Sequence, residues 1–205
     1  MAEANSSTLE RIHAAALAEF LEKGYQAASL RNIVKTAGVT TGALYGYYDS
    51  KEALFAALVD EPYRHVLDTY RAAVFDFEAL LPEEQEVQMG KVGRNCMQEL
   101  LFYMNARRPA FHLILECAEG TPYSSLIDQL ATMEVTATER YCGVLRAMGK
   151  TVPDIDPRLE HMLATGMMNA CCEIIIHDMP LADAQRYLDE LNDFYTAGWL
   201  KIMGQ

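Results

Sequence analysis

The chain has 205 residues, 51% hydrophobic and 22% charged, with a formal net charge of −12, a balance typical of a globular protein able to bury a core in one large or two small domains. No run approaches the ~20 apolar residues of a membrane-spanning helix, and the opening MAEANSSTLERIH lacks a basic region followed by an apolar one, so no signal peptide, no membrane partner and a cytoplasmic location are expected. Five cysteines (Cys96, Cys117, Cys142, Cys171 and Cys172) without CxxC spacing argue against a disulfide framework or a zinc cage and fit a reducing compartment.

Nearly every segment reads as helix. The first, TLERIHAAALAEFLEKGY, places Leu9, Ile12, Ala16 and Phe20 on one face, with Thr8 as the expected N-cap and Gly24 as terminator. Ser29 opens a short second helix with Leu30, Ile33, Val34 and Ala37 inward, which Gly38 closes. Thr40 or Thr41 caps a third, TTGALYGYY, ending at Asp49-Ser50. A fourth runs from there through KEALFAALVDEPYRHVLDTYRAAVF, where Pro62 predicts a kink or break. Beyond Pro82, helical stretches are expected over roughly 84–106, 109–118, 122–149, 157–177 and 181–203, punctuated by Pro109, Gly120-Thr121-Pro122, the Gly149–Pro157 loop and Pro180. There is no strand alternation, internal repeat or low-complexity tract.

The second and third segments, joined through Ala37-Gly38-Val39, form a helix-turn-helix. Ala37 permits close crossing, Gly38 accepts a positive φ without a Cβ penalty, and Val39 and Leu44 fill the corner. In such a motif the second helix enters the major groove tip first. That tip is Thr40, Thr41, Gly42 and Ala43, whose hydroxyls and methyl suit phosphate, base edges and thymine methyls. Tyr45 and Tyr47 reach phosphates through their hydroxyls, and Lys51 and Ser29 sit at helix starts where anions are favoured. Charge distribution permits this reading: residues 8–52 carry five Lys/Arg and five Asp/Glu, whereas 53–205 carry twelve against twenty-three.

Residues 8–56, above all AAALAEFLEKGYQAASLRNIVKTAGVTTGALYGYYDSKEALF, resemble the DNA-binding domain of the tetracycline-repressor (TetR) family. The resemblance implies groove contacts from Thr40 to Ala43 and from Gly46, and backbone contacts from Ser29, Tyr45, Tyr47 and Lys51. Gly46 departs from it, having no side chain where the family often reads a base, and Tyr48 replaces a more usual phenylalanine. The implied fold is all-α: an N-terminal three-helix helix-turn-helix domain (1–52) joined through a long helix to a larger helical effector-binding and dimerisation domain (53–205). The implied activity is that of a ligand-responsive repressor whose homodimer binds a near-palindromic operator in double-stranded DNA and is released by a small-molecule effector.

For the larger part, stripes at 157–177 (Leu159, Met162, Leu163, Gly166, Met167, Ala170, Ile174 and His177) and 181–203 (Leu181, Ala184, Leu188, Leu191, Tyr195, Gly198 and Ile202, thickened by Phe194 and Trp199) suit either an internal core or the two-helix dimer interface that the resemblance implies. Polar groups on apolar helices supply effector-binding candidates: Glu116 foremost, as a carboxylate in FHLILECAEG, then Glu99, Tyr103, His112, His161 and Cys171. Glu116 has an alternative as the partner of Arg107, Arg108 or Arg140.

An enzyme is not expected. Cys171-Cys172 and the histidines His161 and His177 lack i, i+3 or i, i+4 spacing, and no nucleophile elbow, phosphate loop, metal motif or cofactor signature is present. Redox sensing through Cys171-Cys172, or a TetR-like protein that has lost DNA binding, stand as alternatives.

Overall fold

The computed structural model describes residues 2–205, with side chains from Thr8 onward. Among these residues all regular structure is helical. The order is α1 (Ala2–Ala27), α2 (Leu30–Ala37), α3 (Thr41–Tyr45), α4 (Lys51–Glu78), α5 (Pro82–Asn105) and α6 (Arg108–His112), then a π-helical turn (Leu113–Cys117) and a 3-10 turn (Pro122–Ser125), then α7 (Leu126–Ala147), α8 (Pro157–Ile176) and α9 (Leu181–Ile202). Two local expectations are corrected. Helix α1 starts before Thr8, which lies inside it and is not its cap. Helix α4 remains one helix across Pro62; proline removes one backbone donor, and a helix of 28 residues keeps its other bonds.

The chain divides into two compact units, Met1–Arg64 with Arg107–Ser125, and His65–Ala106 with Leu126–Gln205. A single cut between residues 52 and 53 does not describe this division, because the chain leaves the first unit along α4 and re-enters it at Arg107. Hydrophobic periodicity marks helices, but carries no record of such a return.

The first unit is built around Ile12, Phe20, Ile33, Leu44, Leu54, Phe55 and Phe111, none more than 1% exposed. Each such side chain contributes about 1.5–3 kcal/mol by leaving water. Phe55 meets Phe20 edge-on at 5.0 Å and Tyr25 at 5.1 Å. The returning segment docks through Tyr123, whose ring meets Tyr63 edge-on at 5.1 Å and whose hydroxyl donates to Asp60 Oδ1 at 3.1 Å.

The second unit buries Leu100, Leu145, Met168, Ile175, Ala184, Leu188 and Trp199. Helices α5 and α9 are tied where Arg94 donates to Asp189 at 2.9 Å and also to Asp193, while Gln98 reaches Asp189 at 2.9 Å. They approach closely at Gly90, where a Cβ would lie 3.1 Å from Thr196 Cγ2. Phe77 on α4 packs edge-on against Tyr141 on α7 at 5.6 Å, and Arg140 bonds Glu78 at 2.8 Å.

Candidate nucleic-acid interface

Glu19 organises the helix-turn-helix from beneath. It is 8% exposed, and its Oε1 accepts from the Ser29 backbone N–H at 3.1 Å, Asn32 Nδ2 at 3.2 Å and Lys23 Nζ at 3.2 Å. Burial alone would raise this carboxyl, but the bonds from Ser29, Asn32 and Lys23 outweigh it and hold the group below its ordinary value. A buried carboxylate thus serves the first turn of α2, where the Ser29 side chain itself makes no cap bond.

At the other end of α2, Gly38 takes the left-handed conformation (φ 63°, ψ 39°). Its N–H bonds Lys35 O at 3.3 Å and the Val39 N–H bonds Val34 O at 3.2 Å, which satisfies the last carbonyls and turns the chain. Thr40 then caps α3, its Oγ1 accepting from the Ala43 N–H at 3.1 Å. Leu44 is 1% exposed and pins α3 to the core. With Leu44 inward, Thr40, Thr41, Gly42, Tyr45 and Gly46 are exposed, and Ala43 and Tyr47 half-buried. Gly46 has φ −70° and ψ −18°, ordinary helical values open to any residue.

Lys51 behaves differently from expectation. Its ammonium donates to three carbonyls at the end of α1, Tyr25 O at 2.8 Å, Gln26 O at 3.0 Å and Ala28 O at 3.2 Å, and lies 4.6 Å from the Tyr25 ring centre. An ammonium has three hydrogens, and all three are committed to the protein. The adjacent Glu52 accepts from Tyr25 Oη at 2.6 Å. That bond drives the Glu52 carboxyl down to about 2, while burial, reinforced by Glu52, pushes Tyr25 up to about 12. Tyr48 is half-buried and hydrogen-bonded to His13 Nε2; burial raises the one and lowers the other, so both stay neutral.

Within the second unit lies a cavity of ≈ 140 Å³, lined by Tyr70, Phe77, Cys96, Glu134, Tyr195 and Trp199 among others. Its polar centre is a pair: the Tyr70 hydroxyl donates to Glu134 Oε2. Burial raises the Glu134 carboxyl, only partly offset by that bond, and pushes the Tyr70 hydroxyl well above its ordinary range. Trp199 Nε1 is buried without a partner among the described residues.

Residues 12–58 match the family profile described as bacterial regulatory proteins, tetR family. An uncharacterized HTH-type transcriptional regulator, YvdT of Bacillus subtilis (strain 168), is 40% identical over 68 residues, 33% of this chain and 35% of its own length. The chain therefore matches about a third of that curated relative. Over residues 12–58 the chain matches the TetR family. Solved structures resemble this chain over most of its length. A TerR/AcrR-family regulator from Aquifex aeolicus is 20% identical, with a TM-score of 0.52, covering 89% of this chain and 96% of its own. PfmR from Thermus thermophilus is 19% identical, with a TM-score of 0.57 and coverage of 90% and 93%. The fatty acid degradation regulator FadR from Bacillus halodurans is 18% identical, with a TM-score of 0.58 and coverage of 91% and 93%. At these identities the likeness is one of fold, and that fold is the all-α one expected: a helix-turn-helix domain continuing through a long helix into a larger helical bundle.

None of the six effector candidates lines this cavity, although Glu116 borders a separate cleft of the first unit beside Leu21, Tyr25 and Cys117. Glu99 and His161 are exposed, and Tyr103 stacks on His65 at 3.7 Å. Cys171 is buried outside the lining. His112 and Glu116 belong to the first unit, where they bond each other at 2.5 Å with the Glu116 side chain 43% exposed. The apolar neighbours of Glu116 predict it inward; the π-helical turn changes the phase of the helix there and leaves it outside. The polar pair that does line the cavity is absent from the sequence-based candidates. A signal exists for it, since Glu134 shares one helical stripe with Leu130, Thr138 and Tyr141, a costly place for a carboxylate without a role.

Proposed function

We propose that the chain is a dimeric, ligand-responsive transcriptional regulator that binds double-stranded DNA through α3, and that it represses from a near-palindromic operator until a small molecule enters the second unit's cavity. The observation that carries this reading is the polar tip of α3, held rigid by the Thr40 cap and the buried Leu44 while Tyr45 stays 50% exposed. Thr40, Thr41, Gly42 and Ala43 are the groove-facing set, with Gly46 beside them contributing backbone only; Ser29, Tyr45 and Tyr47 flank it toward the phosphates. Lys51 is left out, because its hydrogens are already engaged. A second copy would dock on α8 and α9, whose outer faces expose Leu159, Met162, Tyr187 and Phe194. That no helix among the described residues is long and apolar enough to cross a membrane accords with this role. The redox alternative is disfavoured: burial pushes the thiols of Cys171 and Cys172 up to about 12, far from the thiolate such chemistry needs.

The test is fluorescence anisotropy of the full chain on a labelled duplex from upstream of its own gene, against a scrambled duplex. Saturable preference for the upstream duplex is expected, with Tyr45→Ala weakening it about tenfold, the ~1.4 kcal/mol of a single good contact. Equal binding to both duplexes, or an unaffected variant, overturns the assignment.

A further inference from the structure

The chemistry of the cavity constrains what it accepts. Glu134 is its single acidic side chain, and no Lys, Arg or His is among the lining residues. Among the described residues, the Tyr70 hydroxyl is the one bonding partner of the Glu134 carboxyl, and no cation pairs with it. The walls are aromatic and apolar: Phe77, Tyr141, Tyr195, Trp199, Met89 and Met97. An enclosed carboxylate without a counter-ion is costly, and a neighbour carrying positive charge relieves that cost. Aromatic faces add attraction for the same kind of charge. A carboxylate-bearing amphiphile would instead meet Glu134 with no cation to offset it.

We propose that this cavity selects a compact organic cation, a protonated amine or quaternary ammonium on an apolar body, with Glu134 as its counter-ion. This rests on the reading of the cavity as the effector site. Tyr70 positions the carboxylate; the aromatic walls enclose the ligand's apolar part and its charged head. Asn192, Thr138 and Thr196, also in the lining, offer neutral hydrogen-bonding groups that suit an ammonium N–H.

Trp199 is the only tryptophan in the chain and lines the cavity, so its emission reports occupancy. The experiment titrates the full chain with phenyltrimethylammonium, its neutral counterpart tert-butylbenzene, and octanoate. The cation is expected to change Trp199 emission saturably, at least tenfold more tightly than either of the others. Glu134→Gln should abolish that advantage while leaving the tert-butylbenzene response in place. Tyr70→Phe, which removes only the hydroxyl, should keep the preference for the cation and serves if Glu134→Gln does not fold. Cation affinity should also fall on acidification as Glu134 takes up a proton; Tyr70, Cys96, Tyr141 and Tyr195, the other titratable groups lining the cavity, are all raised by burial and stay neutral. If tert-butylbenzene or octanoate binds at least as tightly as the cation, or the preference survives Glu134→Gln, the cation assignment falls while the cavity keeps its role. If none of the three perturbs Trp199, both fall.

Discussion

Lys51 carries the plainest lesson at the scale of single residues. A lysine at the start of a helix behind a DNA-reading motif invites a phosphate, yet its hydrogens cap the carbonyls of Tyr25, Gln26 and Ala28. Replacing it by methionine leaves those acceptors without a donor. As the side chain is partly solvated, a loss of about 1–2 kcal/mol is expected in urea denaturation. The salt dependence of DNA binding should keep the wild-type slope, because that slope counts neutralised phosphates. A shallower slope in Lys51→Met would return the residue to the interface. Glu19 and Glu52 make a pH prediction. Both are held below their unfolded values, so their stabilisation is complete above about pH 4.5 and is lost as pH falls toward the folded values, about 2 for Glu52. Acid titration of the melting temperature should therefore be flatter in Glu52→Gln than in the parent over that window; identical curves would remove the Tyr25–Glu52 bond from the account.

The helix-turn-helix shows, as an element, what sequence conveys and what it withholds. At the turn, cap and terminator are legible: Gly38 and Thr40 do what a turn glycine and a cap threonine are expected to do. Their local chemistry sets backbone angles independently of the rest of the chain. The two glycines flanking α3's exposed face nevertheless differ. Gly38 sits at φ 63°, and Gly38→Ala should cost about 1 kcal/mol. Gly46 sits at φ −70°, and a Cβ there would come no closer than 3.4 Å, to Ala43 O. Gly46→Ser should therefore fold with nearly unchanged stability and add a side chain where the parent offers only backbone; a loss as large as that of Gly38→Ala would contradict the geometry. Less legible are contacts that join distant segments. Glu19 reads as a surface charge until the start of α2 is brought over it. Glu116 reads as buried until a π-helical turn changes the phase. Tyr70 and Glu134, 64 residues apart, meet only in the folded bundle.

At the scale of the whole molecule, α8 and α9 each have an inner and an outer apolar face. Ala164, Met168, Leu188 and Trp199 are buried, whereas Met162 is 68% and Phe194 70% exposed. A sequence stripe does not separate the two, which is why the same positions suit both a core and an interface. If the outer faces join two copies, Phe194→Glu should give a folded monomer in sedimentation with wild-type helical content and much weaker operator binding. A variant that stays dimeric would move the interface elsewhere. All five cysteines are buried and unbridged, with the thiols of Cys96, Cys171 and Cys172 raised to about 12 by burial. Maleimide reagents attack thiolates on accessible surface, so the native fold is expected to react with them far more slowly than the unfolded chain. A single cysteine introduced at the tip of α3 would then take up a fluorophore first, with no need to strip the natural ones, and the same protection would be lost on unfolding, turning thiol labelling into a clock for how often the bundle opens.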